Sequence, residues 1–189
     1  MAGERSGLRV AFVVANEGVE QVELSQPWAA VISAGGMAEI VAPKAGETQA
    51  MNHPDKGDRF PVDRTTRKAR IEDFDVLVLP GGVANPDQLK MDRAAVAFLR
   101  AMFGAGRPAA VICHGLWTLV EVALVRERTL TSWPSLRTDI ENAGGNWVDE
   151  VVVCRKGPNV LVTSRKPDDL NDFCVEMEDA FGSNRHEGR

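Results

Sequence analysis

Cysteine is scarce in this 189-residue chain: three residues, widely spaced and odd in number. That argues against a disulfide framework and predicts a reducing, cytoplasmic home. No C-x-x-C pair and no histidine pair at ligand spacing is present, so no metal site and no other cofactor is expected. Long apolar runs are missing as well. None reaches the ~18 residues that a membrane-spanning helix needs. The first residues, Met1-Ala-Gly-Glu-Arg-Ser6, lack the basic-then-apolar order of a signal peptide. Basic stripes are absent too. Net charge is −5, and the Arg64-Thr-Thr-Arg-Lys-Ala-Arg70 cluster is short enough to be a solvated loop or strand edge. Neither nucleic acid nor a membrane is expected as a partner.

What is present suits one globular domain over residues 1–189, with tails at 1–7 and 183–189. Hydrophobic residues make up 44% and charged residues 26%, enough to build a sizeable core. Leu8 to Ala15, Met37 to Ala42, Asp75 to Leu79 and Pro108 to Ile112 are short apolar runs, the mark of buried parallel strands. Helical patterns fall between and after them: Glu20 to Ala34, Asp92 to Gly104, Leu116 to Val125, Leu136 to Ala143, and a last one opened by Pro167 and running to about Phe181. Leu130 to Trp133 reads as a short extended segment. Val151 to Cys154 and Asn159 to Thr163 read as paired strands around Lys156-Gly-Pro158. Pro43 to Phe60 is rich in glycine, proline and polar residues and predicts an excursion with little regular structure. Strands alternating with helices predict an α/β sandwich, a mainly parallel sheet covered on both faces.

In such sheets, ligands sit at the carboxyl ends of the strands. Three loops meet that rim: Asn16-Glu-Gly18, Gly81-Gly82, and Cys113 at the end of Pro108-Ala-Ala-Val-Ile112. Cys113 stands on a strand-to-helix turn, where unpaired amide N–H groups and the helix dipole favour a thiolate. The alternative is an inert thiol buried at a strand end. His114 is the candidate base, although side chains one residue apart meet only if the turn is strained. Gly81, Gly82 and the N–H of His114 offer an oxyanion hole. Of Glu17, Glu20 and Glu23, the last two share a helical face, and one carboxyl pointing into the rim would meet the thiol. Glu17 is expected only to favour the helix N-terminus. His53 and His186 are expected at the surface. Cys154 and Cys174 read as packing residues.

Six motifs in order, taken together, resemble the DJ-1/PfpI family of the class I glutamine amidotransferase-like superfamily. They are Gly18-Val-Glu-Gln-Val-Glu-Leu24 with Pro27, Leu77-Val-Leu-Pro-Gly-Gly82, Ala110-Val-Ile-Cys-His-Gly115, Leu130-Thr-Ser-Trp-Pro134, Ala143-Gly-Gly-Asn-Trp-Val-Asp149 and Val162-Thr-Ser-Arg-Lys-Pro167. The resemblance implies a flavodoxin-like three-layer sandwich. It implies Cys113 as nucleophile, His114 beside it, Glu23 as the acid that contacts the thiol, and Asp87 as an acid reaching the histidine of a neighbouring subunit in a homodimer or higher oligomer. Val111 and Leu116 depart from the family pattern and bear on the width of the pocket. The implied activity is a stress-response cysteine hydrolase or hydratase on reactive carbonyls or glycated proteins, deglycase- or glyoxalase-like. A redox sensor or chaperone, and an intracellular peptidase, are the alternatives. Glutamine-dependent amidotransfer is set aside, because His186-Glu187 are adjacent rather than spaced as His-x-Glu.

Overall fold

The computed structural model describes residues 7–155 and 157–183. His186, Glu187 and Lys156 lie outside the described residues, as do the expected tails except Gly7 and Ser183. The amide of Gly7 donates to Gly35 O at 3.0 Å, and Ser183 ends the last helix.

The chain runs through β1 (Arg9–Val13), β2 (Glu17–Glu20), α1 (Gln21–Ser33), β3 (Met37–Ala42), β4 (Glu47–Asn52), β5 (Asp55–Pro61), β6 (Arg64–Thr65) and β7 (Val76–Leu79). Then come α2 (Ala84–Leu89), α3 (Arg93–Gly104), β8 (Ala109–Ile112), α4 (Leu116–Glu121), β9 (Thr129–Leu130), α5 (Arg137–Asn142), β10 (Asn146–Trp147), β11 (Val152–Arg155), β12 (Leu161–Ser164) and α6 (Leu170–Ser183). The central sheet has the order β11-β12-β8-β7-β1-β3-β6. Every pairing in it is parallel except β11 with β12.

Strict side-chain alternation splits the core into two layers. Ala11, Val13, Leu77, Leu79, Ala109 and Val111 face the side covered by α2, α3, α4 and α5. Val10, Phe12, Val76, Val78, Ala110 and Ile112 face the side covered by α1 and α6. Both faces are buried, which is why these strands read as unbroken apolar runs rather than alternating ones. Large side chains such as Phe12 and Phe173 are fully buried and stabilise the sandwich by about 1.5–3 kcal/mol each.

The stretch expected to be an irregular excursion is a hairpin. The segments β4 and β5 pair antiparallel, and β2 pairs parallel to β4, making a small second sheet of three strands. Its apolar content is too low to show as a period: in β4 only Thr48 and Ala50 are buried, and in β5 four of seven residues are charged and none is buried. Polar bonds hold it instead. Thr48 Oγ1 donates to Ala15 O at 2.7 Å, while Gln21 and Asp58 exchange two bonds at 2.6 and 2.8 Å. The expected helix after the cysteine is also shorter than its pattern. It begins as a 3-10 turn, Cys113–Gly115, and continues as the six residues of α4.

Candidate active site

The strand β8 delivers Cys113 to the rim at the carboxyl end of the sheet, and the backbone bends there with φ +61. A non-glycine residue in that region carries strain on the order of 1–3 kcal/mol. The bend achieves what ordinary helix geometry forbids: Sγ of Cys113 lies 3.4 Å from Nδ1 of the next residue, His114. The imidazole is fixed from its other face by Trp133, whose ring stacks on it at 5.6 Å between centroids and 25° between planes. Trp133 also donates its amide to Cys113 O at 3.3 Å.

From the first turn of α1, fully buried Glu23 reaches the thiol, so that each group shifts the other's titration. Its Oε2 accepts the Gly81 amide at 2.8 Å. Its Oε1 is buried with no N–H or O–H partner among the described residues. Gly81 therefore does not serve as a free oxyanion donor, as its position suggests, because its N–H is committed to Glu23. The amides of Gly82 and His114 face the sulfur instead. Asn85 locks this arrangement from below. Its Oδ1 accepts from Ala15 N at 2.7 Å, and its Nδ2 donates to Pro80 O and Gly81 O, both at 3.0 Å. One buried amide thus ties the loop after β1 to the turn after β7.

The electrostatics overturn the expectation of a thiol made acidic by a helix. Cys113 is only 5% exposed, and the helix that follows is six residues long and starts three residues later. Burial pushes the thiol well above its ordinary range, and the Glu23 carboxylate pushes it the same way; the amides of His114 and Gly82 only partly offset them. Burial also raises the Glu23 carboxyl to about 7, against the lowering effect of the Cys113 thiol and of its bond to Gly81. Burial lowers His114, favouring neutral imidazole. Cys113 and Glu23 form a coupled pair in which one site's charge decides the other's.

The sulfur lies at the edge of a cavity of about 690 Å³. Glu17 and Glu20 of β2 line it, as do His53 and Met51 of the hairpin. His53, expected as a mere surface residue, is 75% exposed but turns back to Glu20: Nδ1 stands 3.5 Å from Oε1, and its amide donates to Oε2 at 3.2 Å. Glu17 is on a strand, not at the helix start, and its role at a helix N-terminus is corrected accordingly. Asp87 is the outlier. It sits on α2 with its side chain 58% exposed and pairs with Lys90 at 3.6 Å; among the described residues no carboxylate bonds to the ring of His114. Sequence reasoning undervalued His53 and Trp133 as site residues. The signal for Trp133 was its motif, Leu130-Thr-Ser-Trp-Pro134; His53 had none, since the hairpin that carries it was unrecognised. Among the described residues there is no cluster of metal-ligating side chains, and no helix is long and apolar enough to cross a membrane.

The DJ-1/PfpI family model matches residues 8–180. A deglycase of Pyrococcus horikoshii is 38% identical over 170 residues, covering 90% of this chain and 97% of its own. An uncharacterized protein of Staphylococcus haemolyticus is 38% identical over 171 residues, covering 89% of this chain and 95% of the other. Among solved structures, a two-domain protein of Anabaena variabilis with DJ-1/ThiJ/PfpI-like and ferritin-like domains superposes with a TM-score of 0.84 at 28% identity. The match covers 93% of this chain and 48% of that one, so this chain spans about half of that protein. Drosophila melanogaster DJ-1beta shares the fold, with a TM-score of 0.81, 24% identity and coverage of 93% and 91%.

Proposed function

The chain belongs to the DJ-1/PfpI family, and on that premise we propose that it is a cysteine-dependent enzyme acting on reactive carbonyls or their glycation adducts. The observation that carries this reading is the strained bend at Cys113, which puts its sulfur 3.4 Å from an imidazole, near a fully buried carboxyl and beside a cavity. The deglycase named among the relatives supports the substrate class.

The pair Cys113–Glu23 supplies the reactive form. With one proton between them, transfer from sulfur to carboxyl yields a thiolate beside a neutral acid without changing the pair's net charge. The thiolate adds to the aldehyde carbon, and Glu23 gives its proton to the carbonyl oxygen. The amides of Gly82 and His114 support developing negative charge. Neutral His114 takes the proton from the same carbon and returns it to the neighbouring carbon, while the new hydroxyl passes its proton to the neighbouring oxygen, and a thioester results. Water hydrolyses that thioester, so methylglyoxal becomes lactate with one carbon oxidised and the other reduced. A homodimer is part of this reading, with Asp87 of one protomer completing the histidine's support in the other. Stress protection in the cytoplasm is the matching cellular role.

Cys113→Ala is expected to abolish methylglyoxal turnover, followed as loss of the dicarbonyl and appearance of lactate. A mutant that keeps the native rate would falsify the nucleophile and the reading with it.

A further inference from the structure

The rim opposite Cys113 holds two arginines that the fold draws out of water without pairing them. Arg107, Arg128 and Asn159 precede β8, β9 and β12, at the amino ends of those strands, whereas Cys113 follows β8. Asn159 is buried and joins the other two: its Nδ2 donates to Arg107 O at 2.9 Å, and its Oδ1 accepts from Arg128 Nη2 at 2.6 Å. Gly106, with φ +71, lets the two loops approach; a Cβ there would stand 3.4 Å from Pro158 O. The Arg128 guanidinium lies over the Phe103 ring at 5.8 Å, and burial lowers its pKa. The Arg107 Nε is buried, and that side chain has no hydrogen-bond or ion-pair partner among the described residues. Neither guanidinium meets a carboxylate there; Glu127, next to Arg128 in the chain, is exposed and pairs with neither. Other arginines of the chain that are partly buried are matched: Arg64 by Glu39 and Asp73, Arg165 by Asp149 and Asp169. A cation removed from water without an opposite charge is costly, so two of them on neighbouring loops mark a demand for an anion.

We propose that Arg107 and Arg128, bridged by Asn159, bind a phosphate group, free or as a phosphomonoester, at the end of the sheet away from Cys113. A carboxylate is planar and suits the fork of one guanidinium, as Glu39 suits Arg64 with bonds of 2.9 and 3.2 Å. Two guanidiniums on separate loops bring two positive charges and donors in more than one plane. A tetrahedral oxyanion with a charge of about −1.5 to −2 matches both features. Arg107 has no side-chain bond to give up, so turning its donors to the ligand sacrifices rotamer freedom alone. The site is independent of the carbonyl chemistry and would stand without it.

Inorganic phosphate titrated into the ¹⁵N-labelled native protein is the direct test. It is read at the Nε–H signals of Arg107 and Arg128 and at the side-chain amide of Asn159. Saturable shifts at these three signals are expected, with a Kd on the order of 1 mM. Glycerol 3-phosphate under the same conditions separates the two sources: tighter binding than inorganic phosphate marks a phosphomonoester, weaker binding the free ion. Malonate at equal ionic strength is expected to give no saturable shift, and binding equal to that of phosphate overturns the phosphate class. Arg107→Gln/Arg128→Gln is expected to weaken phosphate at least about tenfold while Cys113 is alkylated at the native rate. The native titration decides even if the double variant fails to fold. Shifts that rise without saturation, or that fall on residues around Cys113 instead, overturn the proposal.

Discussion

At the scale of single residues, Glu23 is the side chain whose cost is clearest. Its carboxyl titrates at about 7 in the fold, against 4.5 for an unperturbed one, because burial disfavours the charge. The folded chain therefore holds this proton more tightly than the unfolded chain does. Below pH 4.5 both states are protonated and nothing is lost. Between 4.5 and 7 stability falls as pH rises, and above 7 the full cost of about 3 kcal/mol remains. Glutamine carries no charge at any of these values. Glu23→Gln is thus expected to raise Tm by several degrees at pH 8 and to change it little at pH 4.5, while lowering turnover by roughly 10²–10⁴ through loss of the proton donor. Thermal melts at the two pH values check the first claim; equal shifts at both would remove the buried charge as its cause. The same substitution deletes the carboxylate that opposes ionisation of Cys113, so alkylation of the thiol is expected to begin at lower pH in the mutant than in the native protein.

At the scale of elements, the turn between β7 and α2 decides whether those residues meet. Gly82 has φ +83, and a Cβ there would strike the carbonyl oxygen of Gly18 and stand 2.7 Å from Glu20 N. Backbone cannot swing aside as a side-chain tip can. Gly82→Ala is expected to destabilise by about 1–3 kcal/mol and, because the Gly82 amide faces the sulfur, to cut kcat/KM further than the fraction unfolded explains. Circular dichroism beside kinetics well below Tm separates the two effects. The legibility of the elements follows the same physics. Strands β1, β3, β7 and β8 are buried on both faces and announce themselves as apolar runs. The hairpin β4–β5 buries little and is held by side-chain hydrogen bonds to residues far along the chain, which no local period records. His53 went unrecognised with it. Cys113 and His114 were placed at the rim by residue type and topology, whereas Glu23 was told apart from Glu20 only by the family resemblance. The burial that raises the thiol was not legible, because it depends on what α1, β8 and the Gly81 turn place around one sulfur.

At the scale of the whole molecule, one chain brings the Cys113 thiol, the His114 imidazole and the buried Glu23 carboxyl together but gives His114 no acid of its own among the described residues. Asp87 points elsewhere, and the apolar residues flanking its helix are bare: Val83 is 60% and Met91 75% exposed. Single exposed apolar residues are ordinary. Two of them at the ends of the short helix that bears the missing acid fit a surface covered by a second copy, in which each Asp87 faces the partner's histidine across a two-fold axis. A charge at the edge of that face separates assembly from catalysis. Met91→Glu is expected to convert a dimer to a monomer in sedimentation and to lower kcat at least tenfold, leaving the melting of the monomeric fold near native. Asp87→Asn is expected to leave the dimer whole and lower kcat to a similar degree. If the Met91→Glu monomer turns over at the native rate, each chain is complete on its own, and Asp87 belongs to the surface with Lys90 rather than to the site.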